Sequence, residues 1–370
     1  MEVIDRFVSE PRQSFFLFGP RGAGKSAWVR RRFADALRID LLAPDVFRAY
    51  SARPERLREV AMGNPRARVI VIDEVQKVPE LLSVVHSLIE EKRGQRFVLT
   101  GSSSRKLKRA GIDRMAGRAV IRTIHPFMAS ELGKRFHFEK ALNIGLLPLV
   151  WNSPDPDEVL KTYAALYVRE EVQMEGLVRN VGNFSRFLEA ISFSHAGVLN
   201  ISNLSRECEV ERKTVEGFVS ILEDLLLGFR LPVFTKRARR AVSVHPKFFL
   251  FDAGVFRSLR PSGPLDRPAE IDGPALEGLV AQHLRAWIDY RRARNQLFFW
   301  RSRAGLEVDF VVYGPDGFLA IEVKNSGRIR PEDLRGLKSF KDEYPQSCAI
   351  LLYRGTERSQ HGGVLCIPCD

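Results

Sequence analysis

SFFLFGPRGAGKSAWVRRRF, residues 14–33, passes from an apolar, strand-like run through a glycine-rich loop into a helical pattern. Within it Gly19, Pro20, Arg21, Gly22, Ala23, Gly24, Lys25 and Ser26 satisfy G-x-x-x-x-G-K-[ST] at every required position. The glycines let backbone N–H groups turn toward phosphate oxygens, and Lys25 adds charge at the outer phosphates. Ser26 offers a hydroxyl to Mg²⁺, and the following helix presents its positive end to the same anion. A chance glycine-rich turn would lack the flanking strand and helix. The stretch predicts a parallel α/β sheet that takes ATP and Mg²⁺ at its strand tips.

Two further runs support this. In ARVIVIDEVQKVPELL, residues 67–82, the apolar segment Val69 to Ile72 leads straight into Asp73 and Glu74. Strand tips of open α/β sheets face the ligand crevice. There Asp73 can hold Mg²⁺ through water while Glu74 polarises the attacking water. One strand later RFVLTGSSSRKLK, residues 96–108, ends its apolar run at Thr100, Gly101 and Ser102. Ser102 or Thr100 is the candidate γ-phosphate sensor; the competing reading is a helix N-cap.

The segments FFLFGPRGAGKS, VIVIDEVQKVPEL, FVLTGSSSRKL and MAGRAVIRTIHPFMASEL resemble the AAA+ class of P-loop ATPases. The resemblance narrows to a bacterial and archaeal family whose ATPase precedes a domain of unknown function. It implies that Arg118, at the basic position of A-G-R and close to Arg114, acts as a finger across a subunit boundary. That would make the protein a homo-oligomer. The alternative is a surface arginine in an ion pair.

At 370 residues the chain is long enough for two or three domains. Its net charge of +13 favours polyanionic partners, meaning nucleic acid or an anionic membrane surface. No apolar run is long enough for a spanning helix, and MEVIDRFVSE carries no apolar signal core, so no membrane association is expected. Cys208, Cys348, Cys366 and Cys369 read as reduced thiols of a cytoplasmic protein, Cys366 and Cys369 forming a lone C-x-x-C.

The expected organisation is an ATPase core over 1–124, a helical lid or bridge over 125–183, a winged helix over 184–260 and a nuclease-like domain over 265–370. In the third segment FSRFLEAISFSHAG, NISNLSRECEV (capped by Asn200 or Ser202) and ERKTVEGFVSILEDLLLGFRL read as successive helices. VFTKRARRAVSVHPKFFLFD then reads as a β-hairpin wing. Arg212 and Lys213 open the presumed recognition helix, and Lys236, Arg237, Arg239 and Arg240 lie on the wing. Clustered charge of this kind suits DNA phosphates. The bland reading is a solvated loop on a module that docks a protein partner.

The last hundred residues run GPALEGLVAQHLRAWIDYRR as a helix, then NQLFFWRS, LEVDFVVYG and GFLAIEVKNS as strands, a helix, and SCAILLYRG as a strand. Gly314-Pro315-Asp316-Gly317 reads as the turn between two of them. This order resembles the restriction-endonuclease-like fold, and Asp309 with Glu322-Val323-Lys324 resembles its PD-(D/E)xK motif. Alternate strand residues share a face, so Glu322 and Lys324 point the same way. The resemblance implies that Asp309, Glu322 and the helix acid Glu277 hold Mg²⁺ or Mn²⁺. Lys324 would act on the attacking water and Arg301 and Arg303 would clamp phosphate. The competing reading makes the carboxylates and lysine a buried structural pair. Two functions stay open: an ATP-driven protein that acts on DNA with a metal-dependent nuclease domain, or a non-cleaving regulatory or protein-remodelling ATPase.

Overall fold

A computed structural model describes residues 4–102, 117–167, 180–235 and 245–369. The chain divides into two compact units: Met1–Phe127 with Asp224–Leu227, and Met128–Glu223 with Gly228–Asp370. The expected boundaries near 184 and 265 both fall inside the second unit.

In the first unit β1 (Ser14–Phe18), β2 (Leu37–Asp40), β3 (Val69–Asp73), β4 (Arg96–Gly101) and β5 (Ala119–Thr123) form one parallel sheet. Its order is β2-β3-β4-β1-β5. Strands β1 and β4 are buried almost throughout, as expected of a parallel sheet covered on both faces. Phe16, Ile70, Ile72, Phe97 and Leu99 pack there against Leu81, Val85 and Leu88 of the Leu81–Glu90 helix. The carboxyl ends of β1, β3 and β4 lie side by side. They carry the glycine loop, Asp73–Glu74 and Thr100–Ser102 respectively.

Gly19 opens that loop because nothing larger fits. A Cβ there would sit 2.5 Å from the carbonyl oxygen of Ile124, whose N–H donates to Phe18 O. The chain leaving β5 therefore passes directly over the start of the loop.

The second unit begins with short helices (Ala129–Leu132, Phe138–Ile144, Pro148–Trp151, Pro156–Thr162) where a helical bridge is expected. The helices Val181–Ser192, Ile201–Glu207 and Arg212–Asp224 follow, interleaved with β6 (Gly197–Val198), β7 (Gly228–Leu231) and β8 (Lys247–Leu250). Asn180 and Asn200 cap the first two by accepting from Asn183 N–H and Asn203 N–H, so the cap is Asn200 and not Ser202. The antiparallel order β6-β8-β7 puts β8 in the middle.

The 24-residue helix Pro268–Arg291 leads to a six-stranded sheet: β9 (Gln296–Arg301), β10 (Glu307–Gly314), β11 (Gly317–Lys324), β12 (Cys348–Tyr353), β13 (Ser359–His361) and β14 (Val364–Pro368). Their order is β13-β14-β12-β11-β10-β9. Strands β10 and β11 are a hairpin closed at Gly314–Gly317, where the turn residues required it. Strand β12 runs parallel to β11, with the Arg335–Glu343 helix against one face. The short strands β13 and β14 have no counterpart in the sequence reading, and Cys366 of the C-x-x-C is buried in β14.

His195 pegs the three-stranded sheet to the long helix. Its Nδ1 accepts from Leu250 N–H at 3.0 Å, so its Nε2 carries the proton that Pro274 O accepts at 3.1 Å. Gly278, one turn on, leaves room for the ring: a Cβ there would lie 2.4 Å from Nε2. Burial depresses the imidazole to about 3, keeping it neutral. Among the described residues no helix is long and apolar enough to cross a membrane.

Candidate functional site

The phosphate loop has the expected shape. Gly22 and Gly24 take left-handed backbone (φ 80° and 89°), and the helix Lys25–Arg32 starts directly after Gly24. The buried Lys25 ammonium donates to Gly19 O at 2.8 Å and Pro20 O at 3.2 Å. Ser26 follows it in the first turn, with Arg21 and Ala23 completing the loop.

Thr100 is wholly buried and joins both acids of β3. Its hydroxyl donates to the Asp73 carboxylate and accepts from Glu74 N–H at 3.1 Å. Glu74 is held left-handed (φ 59°, ψ 46°), which costs a residue with a Cβ about 1–2 kcal/mol. Strain of this kind persists where neighbours over-determine it. Here the Gln76 amide also donates to the Glu74 carboxylate and, at 3.1 Å, to Ser102 Oγ. Thr100 thus anchors the acids, and Ser102 faces Glu74 through Gln76. Gln76 escaped the sequence reading; its signal was an amide two residues past the strand tip.

These residues fit a nucleoside triphosphate and its ion. Ser26 and Asp73 would hold the Mg²⁺, which neutralises phosphate charge when bound. Thr100→Val keeps the shape but strips Asp73 of a donor and Glu74 N–H of its acceptor. It should cost about 1–3 kcal/mol in urea melts and slow phosphate release by roughly tenfold. Unchanged stability and turnover would refute the anchoring role.

Arg118 pairs with Glu90 of its own chain, and that guanidinium holds the Glu90 carboxyl below its ordinary range. The pair is solvent-exposed and so contributes little. Arg114 lies outside the described residues. Arg212 and Lys213 are exposed at the start of their helix, while Lys236, Arg237, Arg239 and Arg240 lie outside the described residues.

The PD-(D/E)xK-like residues converge, with an addition the sequence did not announce. Asp309 and Glu322 lie on paired strands one step beyond the Phe310–Ile321 pair, and Glu322 accepts from the Lys324 ammonium at 2.6 Å. Lys247 of β8 enters the same cluster. Its ammonium is 2.5 Å from Glu307 Oε1, 3.2 Å from Asp309 Oδ1 and 3.6 Å from Glu277 Oε2. The other Asp309 oxygen accepts from Val323 N–H at 2.9 Å.

The expected metal ligands Glu277, Asp309 and Glu322 thus meet around two ammonium groups. Both Asp309 oxygens are engaged, Glu322 is tied to Lys324, and an ammonium lies among the remaining oxygens. Among the described residues no group of three His, Cys, Asp or Glu is arranged to hold a metal ion. Of the two arginines expected to clamp phosphate, Arg301 is 4.0 Å from Glu307 and Arg303 is exposed in the turn between β9 and β10.

Charge balance follows from burial. Four carboxyls face two ammonium groups. Burial, then the Asp309 carboxylate, pushes Glu322 up to about 8, and the same two causes push Glu277 well up. Both shifts favour the neutral acid and so work against the anionic excess. Burial works against the charge on Lys247, but Asp309, Glu277 and Glu307 outweigh it and raise its pKa. Within this cluster the sequence reading gave no role to Lys247 or to Glu307. A lysine opening the wholly buried KFFL strand was the available clue, since such a charge must be paired.

Comparison with known proteins divides the chain in three. Residues 11–133 match the AAA domain model. Residues 135–266 and 272–370 match two domains of unknown function, DUF8612 and DUF4143. Uncharacterized proteins of Mycobacterium tuberculosis and Mycobacterium bovis are each 24% identical over 366 residues, covering 96% of this chain and 79% of the relative. Among solved structures, AMPPCP-bound DnaA from Aquifex aeolicus is 14% identical with a TM-score of 0.26, covering 57% of this chain and 81% of that one. The Pif1 helicase of Candida albicans is 16% identical with a TM-score of 0.22, covering 41% and 43%. The stretch that matches the AAA domain model is the one that carries the phosphate loop, Asp73, Glu74 and Thr100.

Proposed function

We propose that the protein hydrolyses ATP and acts on DNA, and that its C-terminal half holds DNA without cutting it. The observation that supports ATP turnover is the Thr100 bridge, which fixes Asp73 and Glu74 together at the tip of β3 beside the phosphate loop. In this reading Lys25 and the loop bind the phosphates, Glu74 polarises water, and Gln76 and Ser102 position Glu74. The exposed Arg118–Glu90 pair is weak enough to be exchanged, so a role for Arg118 across a subunit boundary, and the homo-oligomer it implies, belong to the proposal.

DNA contact rests on the +13 charge and on the α-β-α-α-β-β run over 181–250, the order of a winged helix. The α-β-β-β-α-β run after Pro268 likewise supports a restriction-endonuclease-like domain. Its acids and Lys324 are tied to one another and to Lys247, which favours the non-cleaving reading.

Plasmid incubated with Mg²⁺ or Mn²⁺, with and without ATP, should stay intact; cutting that depends on Asp309 would restore the nuclease reading. Reversing the charge of Arg212, Lys213, Arg237, Arg239 and Arg240 should weaken DNA binding across all sequences. Each lost phosphate contact should lower the log–log salt slope by roughly one unit. An unchanged slope would move the DNA elsewhere, and absence of binding at low salt would favour a protein-remodelling role.

A further inference from the structure

Carboxylates from two elements, Glu277 of the Pro268–Arg291 helix and Glu307 and Asp309 of β10, meet one nitrogen, that of Lys247 on the central strand of a different sheet. We propose that Lys247 is a tethered cation occupying the place a divalent ion would need, so that this domain carries the carboxylates of a metal site while excluding the metal. The inference goes beyond the ATPase reading and does not depend on it.

Lys247 is 3% exposed, so its charge has little access to water. Its backbone is held from both sides, opposite Val198 of β6 and Leu231 of β7, and its ammonium stands 5.8 Å from the centre of the Phe299 ring. A lysine fixed in a central strand cannot step aside as a surface lysine can. A divalent ion draws oxygens to about 2.0–2.6 Å. An ion at Asp309 Oδ1 would set a second cation against the ammonium already 3.2 Å from that oxygen, and the two would repel.

A second observation concerns the oxygens that the ammonium groups leave without a donor. Glu322 is more than nine-tenths buried, and its Oε2 has no hydrogen-bond donor. Glu277 Oε2 is likewise without one, its nearest partner being the Lys247 ammonium at 3.6 Å. Native interiors seldom leave such acceptors unmet. These are oxygens that a divalent ion could meet once the Lys247 ammonium is removed.

The test is calorimetric titration of Mn²⁺ into nucleotide-free protein, which keeps its outcome separate from ATP hydrolysis. Wild type should show no Mn²⁺ uptake that Asp309→Asn removes. Lys247→Met should gain about one Mn²⁺ per chain, lose it again with Asp309→Asn, and melt at higher temperature with Mn²⁺. Lys247→Arg should keep the wild-type behaviour. If Lys247→Met does not fold, Lys247→Met combined with Glu307→Gln removes one anion along with the cation and serves in its place. Asp309-dependent Mn²⁺ uptake by wild type, or a folded Lys247→Met protein that takes up none, would overturn the proposal.

Discussion

Glu74→Gln is expected to keep ATP bound and to lower its turnover by about two to four orders of magnitude. The amide has the shape of the carboxyl but cannot draw a proton from water. Nothing that holds the backbone is lost, because Thr100 accepts from the Glu74 main-chain N–H and not from its side chain. The left-handed conformation and its cost stay the same, so stability should move little. Lys25→Ala is the complementary variant: its ammonium, placed against the loop carbonyls of Gly19 and Pro20, is the charge that meets the phosphates. It should lose tight ATP binding altogether. Equilibrium binding of a fluorescent ATP analogue and phosphate release separate the two steps. Undiminished hydrolysis by Glu74→Gln would remove Glu74 from the chemistry, and intact binding by Lys25→Ala would move the nucleotide elsewhere.

Asp252→Ala should destabilise the protein by about 3–5 kcal/mol. Asp252 is 1% exposed and caps the Ala253–Leu259 helix, accepting from Gly254 N–H at 2.9 Å and Val255 N–H at 3.1 Å. Its second oxygen accepts from Leu146 N–H at 2.7 Å, tying that cap to the Phe138–Ile144 helix. Truncation removes a cap and strands several buried donors. Asp252→Asn should cost less, keeping one oxygen at the cap but turning its NH₂ against Leu146 N–H.

Burial raises the Asp252 carboxyl to about 6 from 3.8, the backbone donors opposing it. The folded state therefore holds a proton that the unfolded chain has released. This contribution to stability is full below pH 3.8 and is lost as pH rises through about 6. Urea midpoints across that window should fall with pH in wild type, and more shallowly in Asp252→Asn. A loss below about 1 kcal/mol in Asp252→Ala would show that neighbours can supply the missing acceptors.

The parts of this protein that its sequence determined alone are those written in a few consecutive residues. Gly22 and Gly24 admit the left-handed backbone of the loop, and Gly314-Pro315-Asp316-Gly317 turns one strand into the next. Asp73 and Glu74 follow from an apolar strand meeting acid, and Glu322 and Lys324 from strand alternation. Each depends on local φ/ψ preference or on a period of two, which composition can express directly.

What only the tertiary structure decided is who meets whom across the chain. Lys247 reaches Asp309 over 62 residues, His195 reaches Pro274 over 79, and Asp252 reaches Leu146 over 106. Read locally, Lys247 belongs to a basic wing and Asp309 to a metal site. Packed together, they neutralise each other, because a charge removed from water must find its counter-charge wherever the fold brings one within reach.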